Sequence, residues 1–190
     1  MIPYQSEKIE NAICFFAKEH QKKAKKPLYQ TFLYKYLAFL DFISLKETGQ
    51  PALGLRYMAM EKGPVPVEIY DKRESYSTHL FKFVKDQDNR IVIRLKGDPD
   101  LGYFSPCEIE IMARIVEIFA TIYIPTRLVS DASHQEIVAW QKTWKRKPNS
   151  IIDYALEFPD DLLSKPDEER SCAEEHFIIS RRLDSLEKRP

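Results

Sequence analysis

The stretch YLAFLDFISLKETGQPALGLRYMAMEKGPVPVEIY, residues 36–70, changes its hydrophobic pattern partway along. Its first part repeats apolar residues at three- and four-residue spacing, which is typical of a buried helix. Gly49 and Pro51 end that helix, because glycine accepts the left-handed conformation of helix ends and proline cannot continue a helix. Residues 54–60 then alternate along the chain, which predicts a short strand. The stretch therefore predicts a helix, a turn and a strand in succession.

Gly63, Pro64, Val65 and Pro66 follow that strand closely. Proline fixes φ near about −65° and lacks a backbone N–H, and it biases the residue before it towards an extended conformation. We interpret these four residues as a rigid joint between a small sheet and a helical core, with Pro66 starting a short helix. The alternative is a backbone that the chain presents to a partner.

Helical periodicity covers most of the remaining chain. Ser6 is the expected N-cap of the first helix, and Pro27 suits the first turn of the second. Ser105 and the glutamate three residues later have the spacing of a capping box. The 125–144 region forms one or two short helices, and Ser133 or Asp131 could cap the second. Helices are predicted over 6–23, 27–49, 105–123, 125–144, 149–158 and 174–186.

Two alternating segments, residues 79–86 and 89–97, flank the turn residues DQDN and predict a β-hairpin. Together with the strand at 54–60, this hairpin predicts a small three-stranded antiparallel sheet. The predicted fold class is mainly α, of the α+β type. It is a helical bundle core with a small antiparallel β-sheet or hairpin inserted.

The chain divides into two predicted parts. Residues 1–158 form one domain, which suits the length of 190 residues. Residues 159–190 begin with a polar, proline-punctuated linker and end in an amphipathic helix. Whether that helix packs on the domain or on a partner stays open at this stage.

The overall composition argues against several classes of protein. Lys and Arg number 29, as do Asp and Glu, so no strong general attraction to nucleic acid or acidic membranes is expected. The three cysteines are far apart and form no disulfide framework. The N-terminus lacks the pattern of a signal peptide, and no apolar run is long enough to cross a membrane. We predict a cytoplasmic protein with no membrane partner.

Catalytic and metal-binding motifs are missing from the sequence. There is no P-loop, GxGxxG, HExxH or GxSxG motif, and the four histidines have no metal-ligand spacing. Cys107 lies where a helix begins and is interpreted as a small capping residue rather than a nucleophile. An enzyme would need Tyr57, Asp71 and His134 to converge in the fold. We expect no enzymatic activity, no catalytic residue, no metal and no cofactor.

Two basic clusters, residues 18–26 and 142–147, leave DNA binding as an alternative function. The predicted hairpin would act as the wing of a winged-helix-like surface, and Trp144 could contact nucleic acid. Acidic residues flank both clusters and the net charge is zero, however, so we favour the interpretation that both are solvated surfaces near helix ends. DNA is therefore the alternative partner, and the protein would then be a transcriptional regulator.

The opening stretch resembles the hallmark of the Panacea domain, the SocA-like antitoxin family. The hallmark is a helix with an Asp, a Thr-Gly turn, a Gly-x-x-Tyr strand and a Gly-Pro-Val-Pro element. A second, weaker family feature joins Ser133-His134 to an acid, Glu136, and a Trp. Two positions depart from the pattern: Lys62 replaces an expected aromatic residue, and Ala139 stands where proline is common. The matching motif residues are Asp41, Thr48, Gly49, Gly54, Tyr57, Gly63, Pro64, Pro66, His134 and Trp140.

This resemblance implies an antitoxin from a bacterial or phage toxin–antitoxin system. Members of the family bind a cognate toxin protein and neutralise it, and some are adaptors that deliver the toxin to a protease such as a ClpXP-type machine. The resemblance implies no catalysis and no cofactor. Hot spots of protein interfaces favour aromatic and arginine anchors. Candidate partner-binding residues are Arg56, Tyr57, Lys62, Asp71 and His134.

Overall fold

The computed structural model describes residues 2–120 and 125–187, and within them the fold is mainly helical with two small antiparallel sheets, as predicted. The helices are α1 Gln5–Ala24, α2 Gln30–Thr48, α3 Val67–Lys72, α4 Pro106–Phe119, α5 Thr126–Glu136, α6 Val138–Arg146 and α7 Cys172–Glu187. The strands are β1 Tyr57–Met60, β2 Gly63–Pro66, β3 Phe81–Lys85 and β4 Ile91–Leu95. Short 3-10 helices cover Leu101–Tyr103, Tyr154–Glu157 and Asp167–Glu169.

Helix α2 is the centre of the core. Every residue from 33 to 42 is buried, and the helix packs against α1, α4, α5, α7 and β2. It ends as predicted at Gly49, which adopts φ 81° and donates its N–H to Leu45 at 2.9 Å. Its predicted start at Pro27 is wrong. Helix α2 begins at Gln30, and Leu28, two residues earlier, accepts a hydrogen bond from the backbone N–H of Ile93 in β4 at 3.0 Å, which holds this segment in an extended conformation.

The predicted three-stranded sheet is also wrong, because β1–β2 and β3–β4 form two separate sheets. The second edge of β1 is already occupied by residues 149–152. Ala59 donates to Ser150 at 2.9 Å, and Ile152 donates to Tyr57 at 2.8 Å. The β3–β4 hairpin is confirmed, and it pairs instead with the segment before α2.

The Gly63–Pro66 stretch is a paired strand as well as a stiff connection to α3. Antiparallel neighbours alternate between hydrogen-bonded and non-hydrogen-bonded pairs. Pro64 and Pro66 lie opposite Ala59 and Tyr57, whose backbone groups already bind residues 149–152. The two prolines therefore occupy positions where the ladder needs no N–H from them, and an edge strand tolerates proline for that reason.

The predicted helix caps have different outcomes. Ser105 forms the complete capping box of α4, as predicted. Ser6 is not a cap, because α1 already begins at the preceding residue. Ser133 and Asp131 are not caps either, since both lie inside α5. The predicted continuation of α4 over 121–123 lies outside the described residues.

The region after α6 is less regular than predicted. The expected helix at 149–158 is a short extended segment beside β1, followed by the 3-10 turn Tyr154–Glu157. Backbone pairing with β1 competes with helix formation in this segment, and the pairing prevails.

Helix α7 packs on the domain, against the C-terminal end of α2. His176 Nδ1 lies 2.6 Å from the Thr48 carbonyl oxygen, and the Gln50 amide donates to Ser180 at 2.7 Å. The division of the chain at residue 158 stays a prediction. Among the described residues, no helix is both long and apolar enough to cross a membrane.

Candidate functional site

Asp41 fixes the chain between α2 and β1 from inside the core. Its side chain is completely buried, and its carboxyl oxygens accept the backbone N–H groups of residues 53–55 at 2.5–3.2 Å. Gly54 adopts φ 62°, a conformation that favours glycine. One buried side chain thus determines the path of the loop that leads into β1.

Two tyrosine hydroxyls complete the surroundings of Asp41. Tyr57 lies 2.9 Å and Tyr154 3.1 Å from its Oδ2 atom. The Tyr154 hydroxyl has one proton, yet it also lies 2.7 Å from the Leu55 carbonyl oxygen. Both contacts are satisfied if Asp41 is protonated and donates to Tyr154, which then donates to Leu55. Burial favours this protonated form because it raises the pKa of Asp41, although the hydrogen bonds that the carboxylate accepts act to lower that pKa.

The turn between β1 and β2 is the exposed end of this assembly. Glu61 and Lys62 form the turn, and both side chains are exposed. Neither has a positive φ, whereas Gly63 has φ 103°. A type I turn followed by a residue with positive φ is a known hairpin connection. Gly63 is therefore required here for its backbone conformation.

Two buried side chains hold the carbonyl groups on either side of Glu61. The Lys35 amine, on α2, donates to the Lys62 carbonyl oxygen, and Trp140 Nε1, on α6, donates to the Met60 carbonyl oxygen at 3.1 Å. Lys35 is only 2% exposed and Trp140 only 6%. The turn thus has exposed side chains and a backbone fastened from below.

His134 lies beside this support. Its ring stacks on Trp140 with centroids 4.1 Å apart and planes 4° apart. Its Nε2 atom is buried and has no hydrogen-bond partner among the described residues. Burial and then the Lys35 ammonium lower the pKa of His134, while Asp131 and the Lys62 backbone act in the opposite direction. A neutral imidazole at neutral pH follows from this environment.

We call this region the hairpin-tip site. It consists of the exposed turn and the side chains that support or flank it. Trp144 extends the stack of rings, because its ring centroid lies 5.8 Å from that of Trp140. The members of the site are Lys35, Glu61, Lys62, Gly63, His134, Trp140 and Trp144.

The predicted partner-binding residues fall into separate places. Lys62 and His134 belong to the hairpin-tip site. Arg56 lies at the other end of the hairpin, where it pairs with Glu68 at 2.6 Å, and Asp71 is exposed on α3 nearby. Three residue steps along a strand separate the two ends by about 10 Å. The structure thus does not gather these candidates at one point.

Tyr57 has a supporting position rather than a contacting one. It is 1% exposed, and its hydroxyl is bound to Asp41. No hydrogen bond among the described residues joins Tyr57, Asp71 and His134, the three residues that an enzyme would need to bring together.

The geometry supports neither a nucleophilic cysteine at Cys107 nor a metal site among the described residues. Burial and the nearby carboxylates of Glu47, Glu110 and Glu108 raise the pKa of Cys107, which keeps its thiol protonated rather than nucleophilic. Within the described ranges, no three His, Cys, Asp or Glu side chains are placed to hold a metal ion.

Part of the first basic cluster is paired with acidic residues. Lys18 pairs with Asp98 at 2.8 Å, and Lys23 pairs with Glu117. In the second cluster, Lys142 pairs with Asp160 at 2.8 Å, and the exposed residues 145–147 stand at the C-terminal end of α6. Cations at that end of a helix interact favourably with the helix dipole, so the cluster has a structural explanation.

Sequence reasoning missed two supporting residues, Lys35 and Tyr154. Lys35 stands within the apolar run LYKYLAFL, and a lysine there signals a buried amine when the helix is apolar on every face. Tyr154 has no comparable signal, because it meets Asp41 across 113 positions of the chain.

A comparison with protein families adds one match. The family model described as "Antitoxin SocA-like, Panacea domain" matches residues 33–141, which is more than half of the chain. Comparisons with curated proteins and with solved structures give no match. The matched residues extend from α2 to α6 and include Lys35, the β1–β2 turn, His134 and Trp140.

Proposed function

Because the chain belongs to the SocA-like Panacea antitoxin family, we propose that it neutralises a cognate toxin by direct protein–protein binding in the cytoplasm. The observation that carries the proposal is the hairpin-tip site, where exposed Glu61 and Lys62 stand on a backbone that buried side chains hold. The proposal requires no cofactor and no catalytic step.

A fastened turn suits a protein partner for a thermodynamic reason. Association loses conformational freedom wherever a contacting loop must be ordered, and a preorganised loop avoids much of that cost. The β1–β2 turn is held before any partner arrives, so contacts with Lys62 and Glu61 contribute more of their energy to affinity. We expect the toxin to cover this turn and the neighbouring face of α5.

The mechanism can be occlusion of the toxin or delivery to a protease. Occlusion predicts that toxin accumulates in a bound form. Delivery to a ClpXP-type protease predicts that toxin disappears when this protein is expressed and returns when the protease is deleted. The toxin level in the two strains separates these mechanisms without any change in the proposed binding site.

Co-expression with the protein encoded by the neighbouring reading frame tests the proposal. The neighbour alone is expected to arrest growth, and this chain is expected to relieve the arrest and to copurify with it. Lys62→Glu is expected to weaken copurification and rescue, because it reverses an exposed charge at the turn without disturbing the core. Lys82→Glu, at an exposed position on β3, is the matched control.

A neighbour that is harmless alone removes the functional part of the proposal. Copurification that Lys62→Glu and Lys82→Glu affect equally refutes the hairpin-tip site as the contact. The first outcome tests whether the chain is an antitoxin, and the second tests whether the hairpin-tip site is the surface that contacts the toxin.

DNA binding remains the second candidate, and one observation favours it. Lys82 on β3 lies directly opposite Arg94 on β4, and both side chains are exposed. Like charges directly opposite each other destabilise a hairpin, so a phosphate between them would relieve the repulsion. A promoter fragment that shifts at low salt, less so with Lys82→Glu, supports this function; no shift at low salt excludes it.

A further inference from the structure

Lys35 is an unusual residue for the centre of a protein core. It lies on α2 among completely buried neighbours and is 2% exposed. Lysine is almost never fully buried unless it is paired, because an ammonium loses its hydration there. Burial lowers the pKa of Lys35 to about 7, and within the described part of the chain no carboxylate offsets this effect. A methionine or leucine at this position would avoid that cost.

The Lys35 amine has one clear structural task. It reaches the β1–β2 turn from below and donates to the Lys62 carbonyl oxygen. The fit is close: a Cβ on Gly63 would collide with the amine and would lie 2.7 Å from Ser133 Oγ. The absence of a side chain at Gly63 therefore leaves the space that the amine occupies.

Apart from Gly63, which supplies the positive φ, the turn residues provide little conformational preference of their own. Hairpin loops of two residues favour Asn, Asp and Gly, which accept positive φ, and Glu61-Lys62 contains none of these. Within the described ranges, the backbone pairing of β1 with β2 and two buried donors, Lys35 and Trp140, hold the turn carbonyls. The turn conformation thus depends on Gly63 and on donors that lie outside the hairpin.

We propose that Lys35 is a positioning residue whose buried amine sets the conformation of the β1–β2 turn, and that the chain retains it for partner binding in spite of its cost to folding. The consequence for binding rests on the proposed antitoxin function. The positioning itself is a property of the free protein. The amine binds the backbone carbonyl of Lys62, and the titratable group coupled to it is His134 on α5, which also interacts with Asp131 on the same helix.

The test uses the full chain with Lys35→Met and Lys35→Gln, and with Lys145→Met as a matched control on the exposed side of α6. Methionine keeps the shape and removes the donor, whereas glutamine keeps a neutral donor. Amide hydrogen exchange and the pH dependence of the Gly63 amide signal are measured by NMR. Toxin capture is measured separately by copurification with the neighbouring gene product.

Lys35→Met is expected to speed exchange of the Gly63 amide by at least about tenfold, with Lys35→Gln intermediate and the β3–β4 amides unchanged. The Gly63 signal is expected to titrate near pH 7 in the natural protein and to lose this titration in both Lys35 variants. A titration that survives in both variants but disappears in His134→Gln belongs to His134 and overturns the role of the amine.

The separate outcomes distinguish this inference from the proposed function. Unchanged Gly63 exchange in Lys35→Met overturns the positioning role, whatever the toxin does. A loosened turn with undiminished toxin capture upholds the positioning role and refutes the hairpin-tip site as the toxin contact. A loosened turn with at least about tenfold weaker capture supports both.

Discussion

Replacing Lys35 with methionine is expected to remove much of the dependence of folding stability on pH between pH 7 and pH 8.5. Burial lowers the pKa of Lys35 from 10.5 to about 7 in the folded protein. The unfolded chain keeps its proton throughout this interval, while the folded protein releases it. Stability therefore rises with pH above about 7, and the contribution is complete only above the unfolded pKa.

The magnitude follows from the two pKa values. Proton linkage with a folded pKa of about 7 gives a gain on the order of 1–2 kcal/mol in the free energy of unfolding between pH 7 and pH 8.5. His20 and His134 have lowered pKa values and titrate mainly below this interval, and Cys14, raised to about 11, contributes above it. Lys35 is thus the principal identified group whose shift acts within the interval.

Urea denaturation at pH 7 and pH 8.5 measures the effect. The natural protein is expected to gain on the order of 1–2 kcal/mol more than Lys35→Met over this range. Lys35→Met is also expected to be at least as stable as the natural protein at pH 7, because it removes a buried charge. Lys145→Met, at an exposed lysine, is the control and is expected to follow the natural protein. Parallel curves for Lys35→Met and the natural protein would refute the argument from burial.

Two further changes test the supports of the fold by urea denaturation. Asp41→Ala is expected to lower the free energy of unfolding by at least about 4 kcal/mol, since several buried donors lose their acceptor, and Tyr57→Phe by only about 1 kcal/mol. Equal losses would contradict the central role of the carboxyl group. Gly49→Ala is expected to cost about 1–3 kcal/mol through its positive φ. It is also expected to expose α7 to limited proteolysis, because the new Cβ would lie 2.8 Å from the Phe177 nitrogen. Gly97→Ala, with its nearest neighbours at 3.5 Å, is the control, and similar digestion of both variants would count against α7 docking.

Features set by neighbours in the sequence were predictable. The end of α2 at Gly49, the capping box at Ser105 and the β3–β4 hairpin each depend on a few adjacent residues. Backbone conformation, capping and alternation are local properties, so the pattern of residue types contains the necessary information.

Pairing between distant segments was not predictable in the same way. The sequence shows that residues 57–60 form a strand, but it does not show that residues 149–152 occupy one of its edges. That occupation is what separates the two sheets. The same limit applies to the candidate site, where Lys62 and His134 were identified but Lys35, which donates to the Lys62 carbonyl and lowers the pKa of His134, was not. Buried polar contacts of this kind depend on which helix faces the hairpin.

The motif residues and the exposed turn residues have different physical requirements, and this difference bears on specificity. Asp41, Gly63 and Trp140 are needed by the fold, because they hold a loop, permit a positive φ and support a turn carbonyl. A change at any of them alters stability before it alters recognition. Glu61 and Lys62 are exposed, and substitutions at exposed positions usually change stability by less than about 0.5 kcal/mol. One fold can therefore present different turn residues to different partners while the buried donors keep the turn in place.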